Sequence, residues 1–365
     1  MRMARLLLLA TMLAACTTSG YAQGAVNRMF AGFQYHHQRL WAHRPEIDPY
    51  NDNYIQSFEL ILGIRSSGKH HWQQLYNSPS YGLGFFYSDL GHPDVLGEVM
   101  SGFVFFEVPL GERQIIKRRL NTALGVSRLS QFYNPDSNPE NQFIGTPWNI
   151  HFNIKYGLVI NIAGQLQILP GVSFTHYSNG AYKKPNRGLN LFDANVGVRF
   201  YLSNQGSFSL PVRDDILSTW PGDQRFLVLY STGLMQRDID DPHYRAHTLS
   251  FAVDEQTGPR SRWGVGLEIF YDDHAKDLAR EVDLQAGFST FVRAGVFVSH
   301  EIMINNLSLH MGLGTYVYRG QETERPVYKR VALRYNLGYG LYSHFGIKAH
   351  QGRADHMEWG LGIAL

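Results

Sequence analysis

The sequence predicts an all-β protein, an antiparallel transmembrane β-barrel of the outer membrane, with about sixteen strands and twelve to fourteen as the lower count. Three observations carry that expectation. The chain opens on an export signal, its apolar residues alternate with polar residues or glycine over runs longer than ten, and the alternation persists to the last residue, Leu365. Composition agrees, because charged residues are only 18% of the chain while Gly (36), Tyr (21) and Phe (22) are plentiful, which suits strands and aromatic girdles. At 365 residues the chain has room for one large β domain or two ordinary ones. A net charge of +2 leaves no basic footprint for nucleic acid, and beyond the N-terminus no apolar run is long enough for a membrane-spanning helix.

The first segment, 1–22, reads as a signal peptide, with Arg2 and Arg5 ahead of the apolar run Leu6 to Ala15. Two cleavage sites compete. Leu13-Ala14-Ala15-Cys16 resembles a lipobox, which would make Cys16 the lipidated first residue, whereas Gly20-Tyr21-Ala22 suits an ordinary signal peptidase. Cys16 is the single cysteine, so the exported chain is expected to be disulfide-free on either route.

From residue 23 to 365 the chain reads as barrel. Strands are expected near 28–36, 54–65, 80–90, 97–110 and 115–130, followed by a polar loop from Asn134 to Asn141. The clearest run places Ile150, Phe152, Ile154, Tyr156, Leu158 and Ile160 on one face and Asn149, His151, Asn153, Lys155 and Asn161 on the other. In the second half Trp263 to Tyr271, Leu307 to Leu313, Val331 to Leu341 and Met357 to Leu365 keep the same period. A soluble sandwich alternates too, but its strands are usually shorter, and here the polar face carries Lys155, Arg199, Glu268, Arg330 and Arg334 among glycines, as a polar lumen does. Short periplasmic turns are expected at Ala163-Gly164, Asn305-Asn306 and Ser343-His344, and outer loops at 132–147, 179–188, 237–243, 273–284 and 320–327. The segment 203–224, with Pro211 and Pro221, would be a long periplasmic connection that separates two halves or conceals a strand. The histidine pairs His36-His37 and His70-His71 read as surface residues, and no Cys/His cluster has metal-ligand spacing, so no metal or cofactor is expected.

Chemistry concentrates after the run Leu166, Ile168, Pro170, Val172 and Phe174. The same parity continues into His176 and Ser178, which puts an imidazole and a hydroxyl side by side at the outer end of a lipid-facing strand. A polar pair on that face costs stability unless it is used, and an imidazole beside a serine can take its proton and make it a nucleophile. In the next strand Asn190 shares the apolar parity of Phe192, Ala194 and Val196, whereas Asp193 has the opposite parity and should face the lumen.

His176-Tyr177-Ser178-Asn179, with Lys184-Pro185-Asn186 and Gly188-Leu189 following, resembles the outer-membrane lipid A 3-O-deacylases, also called the acyloxyacyl hydrolase family. The match covers about 80–203, and the segment Lys348 to Gly360 looks, more weakly, like the closing strands of longer members. The resemblance implies a barrel esterase that removes the 3-O-linked acyl chain from lipid A of lipopolysaccharide, with its active site facing the outer leaflet and membrane lipids around it. It implies Ser178 as nucleophile, His176 as base and Asn186 near the oxyanion, with Asn179 completing the motif and supporting the same oxyanion hole. At the family's acid position, twelve residues past the serine, this chain has Asn190. Lys183, Lys184 and Arg187 would suit the lipid A phosphates. Classical members are eight-stranded and about half as long, which leaves the role of the extra strands open. The competing reading is a non-catalytic barrel, a pore or structural protein with a lapsed site, since about sixteen strands can enclose an aqueous channel.

Overall fold

The computed structural model describes residues 25–41, 45–111, 117–203, 222–274, 291–319 and 326–365. The signal segment with Cys16, most of 203–224, and most of the expected loops 273–284 and 320–327 lie outside these residues. The described chain contains the sixteen strands expected, and they close into two circles of eight.

The first circle runs β1 (Met29–Leu40), β2 (Ile55–Arg65), β3 (Ser80–Ser88), β4 (Val99–Leu110), β5 (Lys117–Leu129), β6 (Trp148–Asn161), β7 (Leu166–Ser178) and β8 (Leu189–Tyr201). It shuts where β1 meets β8 antiparallel, from Phe30 opposite Tyr201 to Leu40 opposite Leu191. The second runs β9 (Gln224–Met235), β10 (Tyr244–Gly258), β11 (Ser261–Asp272), β12 (Val292–Ile304), β13 (Leu307–Arg319), β14 (Val327–Gly338), β15 (Leu341–His350) and β16 (Arg353–Ala364), and shuts where β16 meets β9. Closure satisfies the backbone groups that an open sheet edge would leave bare in hydrocarbon. The deacylase-like core expected at about 80–203 is thus part of a larger unit that starts at Met29, because β1 and β2 are needed to complete the circle.

Alternation decides which side chains line each wall. Outward leucines such as Leu62 (66% exposed) and Leu361 (66%) would each forfeit roughly 1.5–3 kcal/mol if left against water, so the walls are built for hydrocarbon. Inward side chains are polar and buried. In the first barrel Lys155 pairs with Glu59, and Glu107 accepts from Arg119 (2.9 Å) and Arg199 (2.7 Å). Asp193 accepts from Gln38 (2.9 Å), Ser173 (2.5 Å) and Asn195 (2.8 Å) and meets His36 Nδ1 at 3.1 Å. In the second, Arg225 bridges Asp254 (2.7 Å) and Glu301 (3.0 Å), Arg330 joins Glu268 to Glu358, and Arg334 also holds Glu301. An eight-stranded interior is just wide enough for such side chains to fill. The wide lumen on which the pore reading depends does not form, because the strands divide into two circles.

Two further expectations change. His36 is fully buried, because β1 continues to Leu40 and carries His36 on the lumen parity, while His37, His70 and His71 are exposed. The turn expected at Ser343-His344 falls instead at Tyr339-Gly340, both with positive φ (53° and 77°), so that Gly338 pairs with Leu341 across a two-residue hairpin. Tyr339 and Leu341 keep the period of the preceding strand straight through that turn, which hid the break.

The chain forms two compact units. One is built on β1–β8; the other takes in β9–β16 together with the segments 133–146 and 178–188.

Candidate active site on the outer wall of β7 and β8

His176 sits directly opposite Asn190 in the β7–β8 ladder, both on the outward face. Their side chains meet, with His176 Nδ1 2.6 Å from Asn190 Oδ1. A carbonyl oxygen can only accept, so this contact places the proton on Nδ1 and leaves Nε2 as the basic nitrogen. Ser178 ends β7 two residues on with the same parity and is only 6% exposed. Tyr177 between them points inward, fully buried, with its ring 5.4 Å from that of His151. Asp193, also inward, is committed to the lumen network and stands apart from the outward face.

An aromatic group adjoins the histidine. Phe174, two residues before His176, and Phe192, two after Asn190, have ring centroids 5.0 Å apart, and Trp41 lies 5.3 Å from Phe192. The Trp41 backbone N–H donates to the Asn190 carbonyl at 2.9 Å, fixing the indole at this spot. Trp41 was not legible as a site residue, since only closure of β1 on β8 brings it here.

Beyond Ser178 the chain turns sharply, with Gly180 and Ala181 both at positive φ (63° and 68°). The Asn179 side chain is spent on building this turn. Its Nδ2 donates to Lys183 O (2.8 Å) and Thr146 Oγ1 (3.2 Å), and its Oδ1 accepts from Lys183 N (3.4 Å). Asn179 N in turn donates to Asn186 Oδ1 at 3.1 Å, which anchors the Asn186 amide by its oxygen and leaves Nδ2 as its donor end. Gly145 is required beside this segment, because a Cβ there would stand 2.7 Å from Pro185 O. Lys183 is exposed, whereas Lys184 and Arg187 are half-buried. Burial, followed by the Arg237 guanidinium, pulls the Lys184 ammonium below the usual lysine pKa.

A closed antiparallel barrel with an apolar outer wall and a polar, filled interior is an integral outer-membrane β-barrel protein. Two sequence matches make the assignment narrower: residues 58–199 match Lipid A 3-O-deacylase (PagL), and residues 224–365 match the acyloxyacyl hydrolase, C-terminal domain. Together they cover most of the chain, and the chain belongs to the lipid A 3-O-deacylase family, a family of hydrolases. The second match begins at the first residue of β9, so it coincides with the second barrel. Similar solved structures include Neisserial surface protein A (11% identity, TM-score 0.33, 47% of this chain and 96% of that one) and the outer membrane enzyme PagL (17% identity, TM-score 0.30, 47% and 98%). The Acinetobacter baumannii outer membrane protein Omp33 aligns over 94% of this chain and 100% of its own at 6% identity and TM-score 0.19. No curated protein sequence matches the chain.

Proposed function

We propose that the chain removes the 3-O-linked acyl chain of lipid A with Ser178 as nucleophile and His176 as general base, from a site on the outer wall that faces the outer leaflet. The observation that carries this reading is the 2.6 Å contact of Asn190 with His176, which stands two residues before Ser178 and on the same parity of β7. Ser178 lies at the barrel end bearing the connections 41–54, 89–98, 130–147 and 179–188, while the opposite end bears 66–79, 111–116 and the turn 162–165. The longer set of connections faces outward in barrels of this kind, which supports a serine that meets lipid of the outer leaflet.

In the first step Ser178 Oγ bonds to the ester carbonyl carbon while its proton passes to His176 Nε2. The tetrahedral oxyanion is met by the Asn186 Nδ2 donor, the kind of contact worth about 10²–10³ in turnover. Collapse breaks the bond to the sugar 3-oxygen, which leaves with the proton from His176. Water then attacks the acyl-serine with His176 again as base, releasing the fatty acid and restoring Ser178. Asn190 holds the imidazole in the productive tautomer but carries no charge to stabilise imidazolium. Phe174, Phe192 and Trp41 offer the departing acyl chain an apolar bed, and Lys183, Lys184 and Arg187 suit the phosphates of the substrate.

Mass spectrometry of lipid A from a host expressing the wild-type chain or Ser178→Ala at equal membrane levels tests the reading. Wild type should shorten lipid A by one hydroxyacyl chain and Ser178→Ala should not. Unaltered lipid A in both, or equal loss in both, overturns it.

A further inference from the structure

The mechanism leaves unexplained what holds the segment 179–188, on which the Asn186 amide depends. This segment belongs to the same compact unit as β9–β16, and one buried residue of that unit engages it twice, once by its side chain and once by its backbone. Gln236, the residue after β9, is 6% exposed. Its Oε1 accepts from Lys184 N at 2.6 Å, its Nε2 donates to Asp241 O at 2.7 Å, and its backbone N donates to Ala181 O at 3.0 Å.

The position of these bonds matters more than their number. Ala181 is a non-glycine residue in the left-handed region, a conformation that persists only where the surroundings impose it. Its carbonyl is taken by Gln236 N, and its side chain is buried. Lys183, between the two anchored peptides, is the residue whose backbone holds the Asn179 side chain through both its N–H and its carbonyl. Asn179 N then fixes Asn186. On the other side of the turn, a Cβ at Gly180 would stand 2.2 Å from Met357 Cγ, so β16 is packed closely on the same backbone.

We propose that Gln236 is a positioning residue for the esterase site: by gripping Ala181 and Lys184 it sets the conformation of 179–188 and, through Asn179, the aim of the Asn186 donor. This gives a residue next to β9 a part in shaping the segment that carries Asn186, and it rests on the esterase reading above. Gln236 touches neither substrate nor the reacting atoms. Its effect should therefore pass through Asn186 and disappear when Asn186 is removed.

The test uses the full chain in mixed micelles with purified lipopolysaccharide, following released hydroxy fatty acid. Gln236→Met keeps the volume and loses both side-chain hydrogen bonds, and Gln236→Glu keeps the acceptor for Lys184 N. Gln236→Met should lower kcat about tenfold with KM unchanged, as small misplacements of a catalytic group do, and Gln236→Glu should recover part of the loss. In an Asn186→Ala background Gln236→Met should cost less than about twofold more. Amide exchange over 179–188 should quicken in Gln236→Met while exchange in β7 and β8 stays unchanged, a readout that does not require activity. An active wild type with Gln236→Met equal to it, or equal losses in both backgrounds, or unaltered exchange over 179–188, overturns the inference. An inactive wild type refutes the esterase reading instead, and the exchange result still decides whether Gln236 holds the segment.

Discussion

His176 and Asn190 face one another across the β7–β8 ladder, Nδ1 to Oδ1 at 2.6 Å, and the partner of the imidazole is neutral. In a serine triad an Asp-to-Asn change costs about 10⁴ in turnover, in large part because the amide favours the wrong tautomer. Here Asn190 already presents its oxygen, so under the esterase reading the tautomer is the productive one and only the charge is missing. Asn190→Asp should raise the rate of acyl release by about ten- to a hundredfold without moving KM. A variant no faster than wild type would show that charge at this position is not limiting.

The aromatic group of Trp41, Phe174 and Phe192 makes a second expectation. Trp41 is 49% exposed on the outer wall, a large apolar surface held against the strand that bears Asn190. Trp41→Ala should raise KM about fivefold for a long-chain substrate and leave kcat near wild type, as loss of uniform binding does. The effect should shrink for a short-chain ester. A fall in kcat alone, alike for both chain lengths, would remove Trp41 from acyl recognition.

Stability is to be sought in the lumen. Glu107 accepts from both Arg119 and Arg199, all three buried, so Glu107→Leu leaves two guanidinium groups without their carboxylate. Breaking a buried pair on one side costs about 3–5 kcal/mol. Urea unfolding in detergent, followed by the mobility shift of the folded barrel, should show a loss of this size. Activity of the still-folded fraction should match wild type, because Glu107 faces the lumen of β4 while the site faces outward.

The strands were legible because the period of two writes lumen and wall directly into the sequence, and the same count placed His176, Ser178 and Asn190 outward and Asp193 inward. Division into two circles was not legible. The seam strands β1, β8, β9 and β16 alternate like any others, and nothing local distinguishes a strand that pairs with its successor from one that pairs with a partner over a hundred residues away. For the same reason Trp41 and Gln236 escaped notice, since each reaches the site only through contacts far apart in the chain. Asn179 was legible as part of a motif, but its task in shaping the turn needed the hydrogen bonds to be seen.

The outward placement of His176 and Asn190 has a kinetic consequence under the esterase reading. Because the reacting groups open onto the bilayer, substrate arrives and product departs by lateral diffusion, and bulk concentration loses its meaning for this enzyme. The variable that sets the rate is the mole fraction of lipopolysaccharide in the surrounding film. Diluting that film with inert amphiphile at constant total substrate should slow the reaction, the behaviour known as surface dilution.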